Sequence, residues 1–146
     1  MPASHLLLEN QVCFRVYSLE RRISAAYRPL LAGLGLTYPQ YLVMLFLWEH
    51  GEGTVGAICQ ALGLDTGTVS PLLKRLEARG HISRERSPGD ERSVVARLTK
   101  EGKALAGKAK AVPGRMASCL FEDEAHYLAL KKELDRALAR MGEGAV

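Results

Sequence analysis

The stretch TVGAICQALGLDTGTVSPLLKRLEARGHISRERSPGDERSVVARLTKEG, residues 54–102, decides the fold. Val55, Ile58, Cys59 and Leu62 recur at helical spacing, behind a capping Thr54 and ahead of a terminating Gly63. After the turn Leu64-Asp65 a second helix runs to Arg79, with Gly80 as its stop and Val69, Leu72, Leu73 and Leu76 as its buried stripe. Proline suits only the first turn of a helix, so Pro71 predicts an N-cap later than Asp65. Two helices joined by a tight glycine turn read as a helix-turn-helix. HISRER, the turn Ser87-Pro88-Gly89-Asp90 and the β-branched RSVVARL then read as a β-hairpin with a polar tip. A helix-turn-helix followed by a basic hairpin is a winged helix. The predicted fold is mainly α with a small β-hairpin wing, and the winged lobe occupies about 54–99.

Outward from that lobe the chain reads as helix. Thr99 caps a helix that starts at Lys100, and Val112-Pro113-Gly114 interrupts it. A last helix begins near Glu122-Asp123-Glu124, with Leu128, Leu130, Leu134 and Leu138 on its apolar side. On the other flank, Val12, Val16, Leu19, Ile23, Ala26, Leu30 and Leu34 mark a first helix, which starts near Glu9 or Asn10. Pro29 kinks that helix or ends its regular part. Thr37 and Gln40 have capping-box spacing, with Pro39 in the first turn. A helix from Tyr38 to about His50 follows, apolar nearly all round and therefore central, until Gly51 and Gly53 break it. One domain of 1–146 is expected. Its flanking helices, about 5–36 and 100–142, carry stripes that a small winged core does not cover. A homodimer covers them; the alternative is that they wrap their own domain.

The composition, 146 residues with 47% hydrophobic and 25% charged, excludes extended disorder and collagen-like repeats. The longest apolar run, Tyr41 to Trp48, is too short to span a bilayer, so no membrane partner is expected. The start MPASHLLLEN has neither a basic stretch nor a long apolar core, which argues against a secretory signal. Three cysteines form no closed disulfide framework within one chain, and no CxxC is present. Together these point to a reducing cytoplasm. His5, His50, His81 and His126 share no ligand spacing, so neither a metal nor another cofactor is assigned.

Charge is uneven. Residues 74–110 hold eleven Lys/Arg against five Asp/Glu, while each flank carries a net −1 within a chain of net +4. A basic window between neutral flanks is the footprint of a polyanion-binding face. The expected partner is double-stranded DNA. Thr66, Thr68, Ser70 and Pro71 lie off the buried stripe of the second helix, where small side chains meet base edges. Lys74 and Arg75 are phosphate candidates. The hairpin adds Arg84, Arg86, Arg92 and Arg97. An arginine at its tip reaches a minor groove, and Asp90 orients Arg92.

DERSVVARLTKEG (90–102) resembles the wing and following helix of MarR-type transcription regulators. The stretches ENQVCFRVYS (9–18), YRPLLAGLGLTYPQYLVMLFLWEH (27–50) and LDTGTVSPLLKRLEARG (64–80) are similar, more narrowly, to the organic hydroperoxide resistance regulators within that family. The likeness runs to about residue 114. It implies a dimeric repressor, not an enzyme, that senses organic hydroperoxide through a thiol near the start of the first helix, where Cys13 stands. Tyr17, Tyr27 and Tyr38 occupy the places of the tyrosines that surround that thiol. In two-cysteine members a cysteine in the C-terminal helical region of the other subunit resolves the oxidised sensor. Cys119 lies in that region.

Helix geometry bears on this. Cys13 and Tyr27 are roughly 21 Å apart along one helix, so any contact between them comes from a partner subunit. Tyr17 is one turn from Cys13 and can neighbour it in the same chain. A sensor thiol needs a lowered pKa and access; a helix start and phenolic donors favour the anion. By residue pattern alone Cys13 also fits a small core hydrophobe, and Cys119 shares helical spacing with Met116 and Leu120. Cys59 is expected in the core.

The leading expectation is a repressor released from a pseudo-palindromic operator by oxidation of Cys13, through an intersubunit disulfide with Cys119. The alternatives are a MarR-type repressor released by a small aromatic or phenolic ligand, and a thiol peroxidase using Cys13.

Overall fold

The structure is a computed structural model that describes residues 4–143; the side chains of Glu91, Arg92 and Glu143 lie outside the described part. Two short 3-10 turns lead into α1 (Val12–Ala32), α2 (Tyr38–His50), β1 (Glu52–Thr54), α3 (Val55–Leu62) and α4 (Thr66–Ala78). Then come β2 (Ile82–Ser87), β3 (Asp90–Leu98), α5 (Lys100–Ala109), α6 (Val112–Leu120) and α7 (Glu124–Glu143). The chain forms two compact units that part between Lys110 and Ala111.

The first unit is built on α2 and α4. Thr37 and Gln40 close the expected capping box: the Gln40 amide donates to Thr37 Oγ1 and the Thr37 amide to Gln40 Oε1 at 2.9 Å. Tyr41, Val43, Met44 and Leu47 of α2 are buried, together with Ile58 of α3 and Val69, Leu72, Leu73 and Leu76 of α4. The stripe expected for α4 is the stripe it buries. Its start differs from expectation. Asp65 is the N-cap, its carboxylate accepting from the Thr68 amide at 2.7 Å, and Pro71 sits inside the helix. Pro71 is exposed there, so the carbonyl deprived of its amide partner faces solvent rather than core.

The sheet is three-stranded and antiparallel, in the order β1-β3-β2. The hairpin β2–β3 is the expected wing. β1 was not expected, because Gly51 precedes it and Gly53 is its middle residue; it pairs Glu52 with Arg97, Gly53 with Ala96 and Thr54 with Val95. The Phe46 ring lies 2.5 Å from where a Cβ on Gly53 would stand, so any side chain there would have to displace that ring. Gly102 is crowded as well. A Cβ there would run into the His81 carbonyl, and the Gly102 carbonyl accepts from Trp48 Nε1 at 2.9 Å.

α1 starts at Val12 rather than near Glu9 or Asn10, because residues Leu8–Asn10 form a 3-10 turn. It runs past Pro29 to Ala32 instead of ending there. Of its expected apolar stripe only Leu34, just beyond the helix, is buried; Leu19, Ile23, Ala26 and Leu30 are half-buried and Val12 and Val16 exposed, while the residue α1 buries fully is Leu31, next to the stripe. Thr99 caps α5 as expected, its Oγ1 accepting from the Gly102 amide.

In the second unit the break falls at Lys110–Ala111, not on Val112-Pro113-Gly114. Those residues open α6, where proline's missing N–H costs nothing. Val112 and Met116 are buried. The Phe121 ring meets Tyr127 edge-on at 5.1 Å. α7 carries exposed Leu128, Leu134, Leu138 and Met141. Among the described residues no helix is long and apolar enough to cross a membrane.

Candidate nucleic-acid interface and thiol pocket

α4 turns its apolar stripe inward and so presents the rest. Thr66, Thr68, Pro71, Lys74 and Arg75 are exposed and Ser70 is half-buried. The first turn of α4, where recognition helices meet base edges, therefore offers small hydroxyls, with two cations one turn later.

The basic residues around α4 divide into two kinds. Arg84 is engaged by Glu77: its Nε and Nη2 donate to Glu77 Oε2 at 3.0 and 2.8 Å, and its backbone N–H to Oε1 at 3.2 Å. Arg97 Nε pairs with Glu52 at 2.9 Å, tying β3 to β1. The Arg79 guanidinium donates to the Gly35 carbonyl in the loop between α1 and α2. Lys74, Arg75 and Arg86 by contrast are exposed, with no ion pair among the described residues. Asp90 opens β3 at the wing tip. Arg92 belongs to β3, but its side chain is outside the described residues.

The thiols are all free. Cys13 is the second residue of α1, exposed, in the turn whose amides lack helical acceptors. Tyr17, one turn on, is exposed, with the Arg21 guanidinium 5.7 Å over its ring. Cys119 is exposed in the last turn of α6. Cys59 is half-buried rather than core, because only Ile58 of α3 is fully covered; its Sγ lies 3.9 Å from Thr66 Oγ1.

Tyr27 and Tyr38 come together across the α1–α2 corner, stacked at 4.2 Å, and Tyr41 leans on Tyr27 at 5.7 Å. Burial, then the neighbouring Tyr38 and Tyr41 phenols, push Tyr27 up to about 12. Burial, and next Glu20, raise Tyr38; burial and Tyr38 raise Tyr41. All three phenols thus keep their protons at neutral pH and remain hydrogen-bond donors. The expected tyrosine group is in part assembled: Tyr27 and Tyr38 meet, whereas Cys13 and Tyr17 lie at the far end of α1.

Residues 34–93 match the MarR family profile. The chain is 50% identical, over 110 residues, to the organic hydroperoxide resistance transcriptional regulator of Bacillus subtilis, covering 75% of each. It belongs to the MarR family. Among solved structures it is similar to AbfR, a protein of Staphylococcus epidermidis. The reduced, DNA-bound form of AbfR is 38% identical with a TM-score of 0.74, covering 92% of this chain and 93% of that one. A disulfide-formed AbfR is 36% identical with a TM-score of 0.64, covering 94% and 93%.

Within this MarR fold, sequence reasoning missed Tyr41, Glu77, Glu52 and the Arg79 link. Tyr41 looked like one more apolar residue of α2. Glu77 and Arg84 are seven residues apart across a helix end and a strand start, and no local spacing rule pairs them.

Proposed function

We propose that this MarR-family chain is a homodimeric redox-sensing transcription repressor, acting in a reducing cytoplasm. The reduced dimer binds a pseudo-palindromic duplex whose half-sites lie about one helical turn apart. The first turn of α4 meets base edges through Thr66, Thr68, Ser70 and Pro71. Lys74, Arg75, Arg86 and Arg92 supply charge, and Asp90 steadies Arg92.

Organic hydroperoxide is the effector and Cys13 the sensor. The Cys13 thiolate attacks a peroxide oxygen, the O–O bond breaks, and the alcohol leaves with a proton. The sulfur becomes a sulfenic acid. The thiol of Cys119 of the partner subunit condenses with it: an S–S bond forms and water leaves. The disulfide draws the helices that carry the two DNA-reading lobes away from their operator spacing.

The observation that carries this reading is the position of Cys13. It is exposed at the start of α1, beside Val12, Val16 and Tyr17, an apolar run that the chain's own fold leaves in water. A second copy covers that run and brings donor phenols from its Tyr27 and Tyr38 to the thiol. The likeness to the Bacillus regulator and to AbfR in its reduced and disulfide forms supports it.

The test is DNA-binding anisotropy on reduced protein, before and after one equivalent of cumene hydroperoxide, with a non-reducing gel. Release together with a thiol-reversible dimer band is the expected result. Release without the band removes Cys119 from the mechanism. Cys13→Ser should bind DNA as tightly and ignore peroxide; normal peroxide release by that variant overturns the sensor assignment.

One observation favours a second reading, release by a small aromatic anion. A cleft of about 540 Å³ is lined by Arg28, Arg75 and Arg79 with Leu36 and Gln40, and by no carboxylate. Ligand-driven release that persists in Cys13→Ser is its signature.

A further inference from the structure

The wing works only if its tip arrives at the right place relative to the helix in the major groove. A two-stranded ribbon is long and thin, and its root decides where its tip goes. Arg84 is the third residue of β2, and the tip begins about four residues later at Pro88. At about 3.4 Å per residue that arm is roughly 13 Å, so a tilt of about 10° at the root displaces the tip by about 2 Å. A hydrogen bond does not survive such a displacement.

Ile82 is buried at the start of the strand, and one carboxylate then ties the root to the DNA-reading helix. Glu77, in the last turn of α4, accepts from three donors of Arg84, one on the strand backbone and two on the guanidinium edge. The pair is partly shielded, with side chains 25% and 39% exposed. Arg84 forms the bond with Nε and Nη2, the forked edge that would otherwise grip a phosphate. The Arg84 guanidinium and backbone hold the Glu77 carboxyl below the usual carboxylate range, so the grip persists through neutral pH. Arg86 makes the contrast. It lies two residues on, hence on the same strand face, and is exposed with no ion pair among the described residues.

We infer that Glu77 and Arg84 are a positioning pair that sets the angle of the wing against the DNA-reading helix, so that Arg84 acts on DNA through the wing's placement and not as a phosphate ligand. This rests on the DNA-binding reading above. It reverses a sign that charge alone dictates. If Arg84 were a phosphate ligand, removing Glu77 would free a cation, delete an anion near DNA and tighten binding.

The experiment uses the full-length dimer and a duplex recovered by in vitro selection on the unaltered protein, beside a scrambled duplex of equal length. Glu77→Ala, Arg84→Ala, Arg84→Lys, the double alanine variant and Arg86→Ala are compared across a salt series. Alanine is the best helix former, so Glu77→Ala leaves α4 intact. Glu77→Ala, Arg84→Ala and Arg84→Lys should each weaken binding to the selected duplex about tenfold, the order of one lost base-edge contact. The double variant should be no weaker than either single one. Binding to the scrambled duplex and the salt slope should stay unchanged, which a mere loss of folded protein would not produce. Arg86→Ala should instead lower the salt slope by about one. Tighter binding by Glu77→Ala, near-normal binding by Arg84→Lys, or a slope reduced by about one in Arg84→Ala overturns the inference. Failure of the unaltered dimer to bind any duplex overturns the DNA-binding reading beneath it, and that result is separate from all of these.

Discussion

α1 and α4 are both amphipathic helices of the same unit, and they end differently. No residue of α4's apolar stripe is more than 8% exposed, because α2, α3 and the sheet close over it. α1 is covered only where it meets α2. At its other end Val12 is 75% and Val16 49% exposed. Sequence periodicity marks both stripes equally well, since it reports that a face is apolar and not what covers it. The winged lobe is completed by its own chain, whereas the start of α1 keeps its apolar face in water.

That contrast gives three tests. The largest effect belongs to the self-sufficient helix. Leu73 is fully buried, so Leu73→Ala should cost about 3 kcal/mol of lobe stability in urea titration. Self-association of the folded protein should stay unchanged; a matching loss there would erase the distinction between the two helices. Next comes Val16→Asp. A carboxylate on the exposed stripe should leave lobe unfolding as it was and weaken self-association at least tenfold, because the charge loses water without gaining a partner. Sedimentation equilibrium reads this, and a variant that dimerises normally would take α1 out of the interface. The smallest is a pH effect confined to the lobe. His81 Nδ1 is buried without a hydrogen-bond partner, and burial, then Arg79, hold its imidazole below the usual 6.5. The unfolded chain therefore binds the proton more readily. Lobe stability is full above about pH 6.5 and falls as pH drops from there toward the lower folded value. His81→Gln should flatten that slope in thermal melts across pH 5–8. An unchanged slope would assign it to other groups.

Much of this was legible in the sequence, for local reasons. The Thr37–Gln40 capping box, the stripe of α4 and the hairpin turn are all written within a few residues of where they act. What failed was governed by distant partners. β1 is a strand because β3 lies beside it, and Gly51 before it and Gly53 within it hid that. Pro71 suggested a later helix start, but the Asp65 cap and an exposed position outweigh the proline. The candidate site shows the same division. Exposure of Thr66, Thr68, Lys74 and Arg75 follows from the helical period. The engagement of Arg84 and Arg97 depends on carboxylates that only folding brings near. The tyrosines were readable as a set only through resemblance, and the stack of Tyr27 on Tyr38 needs the corner between α1 and α2.

The β1–β3 pairing has a consequence for how the protein is made. β1 is translated early, but its partner Val95 emerges about forty residues later. At roughly 5–20 residues per second the ribosome takes some 2–8 s to supply it. For that interval the strand edge is unpaired, and the apolar run Tyr41 to Trp48 lacks much of its cover. The nascent chain is then at its stickiest, and a holding chaperone has its window, seconds before the wing closes.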